Sequence, residues 1–175
     1  MTDNWHRIHV TGNAGAGKTT LAAELGRVLN LPVFGLDAVV WQPGWRKTPP
    51  PVRAAAERAL VVQQQWVIDG VSHDVREAAD LVIFLDRPRW RCLQQAVKRN
   101  LPYLFRSRPG LPDACPEIRI LPTLVSMIWR FPARIRGQLL NEAQAMPDRY
   151  RILRSRKETR RFLEELAAQR ERVNG

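Results

Sequence analysis

Hydrophobic positions along this chain switch repeatedly between a period of two and a period of three to four. Ile8 and Val10 alternate with polar neighbours across Arg7 to Thr11, the mark of a short strand. Leu21, Leu25, Val28 and Leu29 then recur at helical spacing across Lys18 to Leu29. Pro32 to Phe34 reads as a brief second strand. Pro51 to Gln65 reads as an alanine-rich helix that opens at the prolines 49 to 51. Trp66 to Ile68 is a third strand. Leu81 to Leu85 is an unbroken apolar run, as expected of a strand covered on both faces. Pro88 to Asn100 is a helix with proline in its first turn. Ile118 to Met146 is helical in pattern, with Pro122 and Pro132 expected to break or kink it. Tyr150 to Leu153 is a fifth strand. Ser155 and Glu158 have capping-box spacing and open a last helix that turns Phe162, Leu163 and Leu166 inward. Strands alternating with helices predict an α/β sandwich around a parallel sheet.

The 175 residues suit a single domain, 1–175, with its own core. No apolar run approaches the ~20 residues of a membrane-crossing helix. The stretch Leu124 to Phe131 reads as a helix packed on the core, so no membrane partner is expected. Met1 to His9 is polar and charged where an export signal would be apolar, and the expected location is cytoplasmic. Cys92 and Cys115 cannot form a disulfide framework, and no metal-ligand spacing of Cys or His occurs. His6, His9 and His73 have no partner pattern and are not expected to be catalytic. The 28 basic against 17 acidic residues give a net charge of +11, carried almost entirely by arginine. Arginine grips phosphate in a planar, bidentate way. Surface arginines and a phosphate-rich partner both account for it, and weak, non-specific nucleic-acid binding is the expectation.

The strongest local signal is Gly12-Asn13-Ala14-Gly15-Ala16-Gly17-Lys18-Thr19, a G-x-x-x-x-G-K-[ST] segment between a strand and a helix. Glycines let successive N–H groups point inward at phosphate oxygens, and the helix start adds its positive dipole end. Lys18 can reach the β and γ phosphates of ATP, the Thr19 hydroxyl can ligate Mg²⁺, and Thr20 completes the first turn. A carboxylate at the tip of a neighbouring strand completes such a site. Asp69, after Trp66-Val67-Ile68, is the expected Mg²⁺ partner, whereas Asp86, after Leu85, reads as a helix cap near Pro88. Asp37 follows the second strand across Gly35 and Leu36. It can either act as general base toward an acceptor hydroxyl or cap a short helix. Trp41 and Trp45 can stack a planar acceptor or cover the sheet edge. Lys98, Arg99, Arg106 and Arg108 surround a proline-rich loop, Arg106 to Pro116. This is the composition of a lid that neutralises charge in phosphoryl transfer, here placed at about residues 99–117.

The phosphate loop, Leu36-Asp37, Trp41-x-Pro-Gly-Trp45, Ile68-Asp69-Gly70, Ile83-Phe84-Leu85-Asp86-x-Pro88-Arg89 and Leu153-Arg154-Ser155 together resemble the adenylate-kinase-like topology modulation (FlaR-type) family over nearly the whole chain. The resemblance implies a P-loop NTPase three-layer sandwich of nucleoside-monophosphate-kinase type, with parallel strands in the order 2-3-1-4-5 and a lid. It also implies ATP with Mg²⁺ as donor, and Arg154 beside the adenine. Two places depart from the pattern: Val71-Ser72 stands where Asn-Tyr is common, and Gln95 stands where the lid helix usually carries its first arginine. The expected activity is transfer of the γ-phosphoryl group of Mg-ATP to a small acceptor, a nucleoside or nucleotide among others. A nucleic-acid-associated ATPase and a nucleotide-binding regulator of low turnover are the other two readings.

Overall fold

The computed structural model describes residues 5–103 and 117–174. The expected strand–loop–helix opening is present: β1 (Arg7–Gly12) leads through the glycine loop into α1 (Lys18–Leu29). Then come β2 (Val33–Gly35), a short α2 (Asp37–Val40) and a small ribbon of β3 (Trp41–Gln42) with β4 (Arg46–Lys47). The helix α3 covers Pro50–Val61. It stops four residues short of the expected Gln65, where polar Gln63 to Gln65 lead into the next strand. β5 (Trp66–Asp69), α4 (His73–Ala78), β6 (Leu81–Leu85) and α5 (Arg89–Asn100) follow, and α5 ends in a 3₁₀ turn at Leu101–Tyr103. The last elements are α6 (Glu117–Phe131), a π-helical segment (Pro132–Arg136), α7 (Gly137–Ala145), β7 (Tyr150–Leu153) and α8 (Arg156–Asn174).

Five strands form one parallel sheet in the order β2-β5-β1-β6-β7, while β3 and β4 pair separately. Counted within that sheet alone, the order is 2-3-1-4-5. Parallel strands sort their side chains strictly by parity. Ile8 and Val10 of β1 join Leu21, Leu25, Val67, Ile83, Leu85 and Leu166 in one core cluster, under α1, α5 and α8. Trp66, Ile68, Val82 and Phe84 face the other way and meet Val75, Leu139 and Tyr150, under α4 and α7. All five residues of β6 are buried, as its apolar run requires. Each fully buried large side chain contributes about 1.5–3 kcal/mol, so this double core fixes where the strand ends lie.

At Pro132 the α-helix gives way to the π-helical segment, as the expected break requires, whereas Pro122 sits inside α6 without ending it. Proline lacks the N–H that α-helical bonding needs, and a wider turn accommodates its ring. The stretch Leu124 to Phe131 also divides. Leu124, Ile128 and Phe131 are buried as expected, but Val125, Met127 and Trp129 are exposed. A helix lying on a core by one stripe leaves its remaining apolar positions to the outside.

Candidate active site

The site is built where β1, β5 and β2 end together. Gly35 pairs with Asp69 across the sheet, and the Leu36 N–H donates to the Asp69 carbonyl at 2.9 Å. That bond brings Asp37, the first residue of α2, to the same edge as Asp69. Asp37 lies inside the first turn of α2, while the cap position belongs to Leu36. Asp69 is buried and Asp37 exposed. Crevices at the carboxyl ends of parallel strands, where the chain switches sides of the sheet, are where ligands bind in such folds. Here the chain leaves β1 for β2 on one side and later continues to β6 on the other.

The loop from Gly12 to Gly17 is shaped by close approach as much as by ligand geometry. Gly15 has φ +77°, and a Cβ there would lie 2.2 Å from the Cys92 carbonyl oxygen of α5. Only glycine lets α5 press on the loop this closely. Gly17 is the N-cap of α1 at φ 98°, and its position makes no side-chain cap. The first-turn N–H groups of α1 therefore have no side-chain acceptor at the cap, which suits an anion. Asn13 is buried, and its amide donates to the Ile128 carbonyl at 2.9 Å. It ties the loop to α6 by its side chain, a role beyond that of a loop amide. Ala14 and Ala16 complete the turn, and the Ala16 N–H bonds the Asn13 carbonyl at 3.1 Å. Thr19 and Thr20 are exposed in the first turn of α1.

Lys18 donates from Nζ to the Asn13 carbonyl at 3.2 Å. Burial lowers its pKa, the carboxylates of Asp69 and then Asp37 oppose that shift, and Arg99 adds to it. Four of the sequence-predicted residues thus share one electrostatic neighbourhood. Arg99 ends α5 with its Nε bonded to Asn100 Oδ1 at 3.0 Å. Arg106, Arg108 and the rest of the expected lid loop lie outside the described residues.

Asp86 is not a helix cap. The N-cap of α5 is Pro88, without a side-chain bond. The Asp86 carboxylate instead receives Arg136 Nε and NH2 at 2.7 and 2.9 Å. Arg154, expected beside the adenine, is exposed with its Nε 3.9 Å from Asp86 Oδ2. The neighbouring Arg156 donates to Gln95 Oε1 at 2.6 Å, so Gln95 holds the start of α8. Trp41 and Trp45 meet edge to face, centroids 5.3 Å apart at 84°. They pack on each other and do not form a parallel slot.

A cavity of about 450 Å³ opens beside the β5 end, lined in part by Arg53, Glu57, Ser72, Arg76, Ile135 and Gln138. The sequence did not point to it. Ser72 Oγ and Arg53 Nε each donate to the buried Glu57 carboxylate at 2.6 Å. Arg76 Nε sits 2.8 Å from Glu142 Oε2, which also accepts from the Tyr150 hydroxyl at 2.6 Å. Burial alone would raise the Glu142 pKa, but bonds from Tyr150, Gln138 and Arg76 bring it below the usual range. The wall therefore presents ordered donors and acceptors whose charges are already paired. Arg53 and Glu57 are one helical turn apart, but Ser72 lies 15 residues from Glu57 and Arg76 lies 66 from Glu142, so local spacing does not signal the set.

The residues fit a nucleoside triphosphate. The glycine loop and uncapped helix start suit phosphate, and Lys18 supplies a held cation. Thr19 and Asp69 could hold Mg²⁺ through a hydroxyl and a carboxylate. Among the described residues no group of three or more His, Cys, Asp or Glu forms a metal cage. Mg²⁺ characteristically takes one or two protein ligands plus phosphates and water.

The fold is similar to that of solved small-molecule kinases. The shikimate kinase of Acinetobacter baumannii, solved in complex with shikimate, matches with a TM-score of 0.57 at 20% identity, over 98% of this chain and 96% of that one. A shikimate kinase from Bacteroides thetaiotaomicron matches at 0.54 and 20% identity, over 95% of this chain and 99% of that one. A gluconokinase from Sinorhizobium meliloti matches at 0.53 and 16% identity, over 96% of this chain and 93% of that one. No family model matches the chain, and no curated protein matches it in sequence.

Proposed function

We propose that this protein is a P-loop kinase that moves the γ-phosphoryl group of Mg-ATP onto a hydroxyl of a small polar acceptor, within an adenylate-kinase-like group such as the topology modulation proteins. The observation that carries this reading is the placement of Asp69 and Asp37 at one end of the sheet, within the electrostatic neighbourhood of Lys18, with a polar-walled cavity past the end of β5. Mg-ATP supplies the transferable phosphoryl group and the charge of the metal. The loop amides and Lys18 hold its phosphates, while Thr19 and Asp69 position the metal. Asp37 accepts the acceptor's hydroxyl proton. Arg99, with Arg106 and Arg108 on a lid, neutralises charge on the transferred group, and Arg154 borders the base. The paired charges of the cavity favour an acceptor rich in hydroxyls over a bare polyanion. The fold likeness to gluconokinase and shikimate kinase supports a small-molecule acceptor.

The test is acceptor-dependent ADP release with Mg-ATP across nucleosides, nucleotides, sugars and hydroxy acids. The expected result is release with one acceptor class, abolished by Lys18→Ala. Asp37→Asn is expected to lower turnover about 10²–10⁴-fold while ATP affinity stays nearly constant. Turnover stimulated only by polynucleotide would replace the kinase with an ATPase.

A further inference from the structure

Seven of the eleven large hydrophobic side chains exposed among the described residues lie on α5, its 3₁₀ turn and α6. Six of these seven, all but Met127, fall into two stripes with the same helical spacing. Trp90, Val97 and Leu101 line one, and Ile118, Val125 and Trp129 line the other. Trp90 and Trp129 are each 60% exposed and Leu101 62%. The inner sides of both helices are committed to the phosphate loop. Cys92 of α5 backs Gly15, and Ile128 of α6 receives the Asn13 amide. The two stripes lie off those inner sides, on helices that pack against each other. Arg89 sits 4.7 Å over the Trp129 ring and donates to the Trp129 carbonyl at 3.4 Å. Arg91 lies 5.0 Å over Trp90.

Charge distinguishes the possible occupants. Apart from Arg99, which faces the phosphate site, the two helices carry Arg89, Arg91, Lys98, Arg119 and Arg130 against the single acid Glu117. A second copy docked face to face would set these like charges against one another. The phosphodiester backbone of a nucleic acid would gain nothing from the aliphatic side chains between the arginines. An anionic lipid surface satisfies both features: headgroup phosphates meet the arginines, and the apolar side chains enter the headgroup–acyl boundary. Tryptophan beside a cation is suited to that boundary, with an apolar body and a polar edge.

We propose that the α5–α6 face is a peripheral membrane-docking surface selective for anionic phospholipid, with Trp90 and Trp129 as its inserting anchors. No helix of the described residues is long and apolar enough to cross a membrane, so the association is interfacial. It goes beyond the sequence expectation of no membrane partner, and it is independent of whether the protein turns over ATP.

The test is co-sedimentation of the full chain with phosphatidylglycerol–phosphatidylcholine vesicles and with pure phosphatidylcholine vesicles, together with quenching by bromine-labelled lipid. The wild type is expected to bind the anionic vesicles at least tenfold more tightly than the neutral ones, with its tryptophan fluorescence quenched. Trp90→Gln with Trp129→Gln is expected to weaken binding at least tenfold and remove the quenching. A second pair, Val97→Gln with Val125→Gln, keeps both reporters and is expected to reduce quenching at equal lipid, whatever becomes of the first pair. Equal binding to both vesicles, no binding, or anionic binding without quenching would overturn the proposal. So would a dimer in light scattering that the valine variants dissolve, or tight duplex binding that the tryptophan variants abolish.

Discussion

At the scale of single residues, burial decides which titratable groups are available for chemistry. His9 in β1 is fully buried, with Nε2 donating to the Gly70 carbonyl at 3.2 Å. Burial, with Arg76 and Lys18 adding to it, pushes its pKa down to about 3 against a weaker upward pull from the Gly70 bond. The imidazole is therefore neutral in the folded protein. Between pH 6.5 and about 3 the unfolded chain binds a proton there that the folded chain does not. Stability contributed by neutral His9 is thus complete above pH 6.5 and is lost as pH falls toward 3. The slope is about 1.4 kcal/mol per pH unit. Urea unfolding measured from pH 6.5 to 5 is expected to show that slope in the wild type and a flatter one in His9→Gln. Parallel lines would contradict it. Cys92 is likewise set aside: burial raises its pKa to about 11, so it packs α5 on the loop and is not a nucleophile.

At the scale of elements, the decisive contacts tie a strand end to a distant helix. Asp86 follows β6, and Arg136 lies in the π-helical segment 50 residues later. The bidentate pair holds that segment against the sheet edge, one strand from the phosphate loop, since Gly12 pairs with Leu85. Its hydrogen bonds raise the Arg136 pKa, keeping the guanidinium charged. Asp86→Asn is expected to cost about 1–3 kcal/mol, as loss of a charge-assisted pair does. Equilibrium denaturation reads that cost. Asp86→Asn is also expected to leave the Mg²⁺ concentration dependence of ADP release unchanged, whereas Asp69→Asn shifts it upward. A shift from Asp86→Asn instead would exchange the two roles. The last helix shows a purely local device. The Glu158 N–H bonds Ser155 Oγ at 3.1 Å, and Glu158 Oε2 accepts the Arg154 N–H at 2.8 Å.

At the scale of the whole molecule, a ligand that binds only the folded state stabilises all of it. Mg-ATP at about 100 times its dissociation constant is expected to add about 2.7 kcal/mol, read as a rise in melting temperature, with most of the rise absent in Lys18→Ala. A wild type without a shift at millimolar Mg-ATP would remove the basis for the kinase reading. The sequence by itself determined what is written in contiguous segments. Helix α1, strands β6 and β7, the register of the glycine loop and the Ser155–Glu158 cap follow from periodicity and from backbone demands within a few residues. Only the tertiary structure decided what depends on neighbours far along the chain. Asp86 meets Arg136, Glu57 meets Ser72, and Glu142 meets Arg76, so the cavity and its paired charges could not be read from spacing. The helix α4 leaves no signal in the sequence because its six residues rest on a Ser72 cap and on burial of Val75, with no long periodic pattern. Helix α6 makes the reason plainest. Periodicity fixes the angle between its apolar stripes, but the same pattern serves either stripe as the core face. The choice fell to the phosphate loop, whose Asn13 takes the Ile128 carbonyl and leaves Val125 and Trp129 outside.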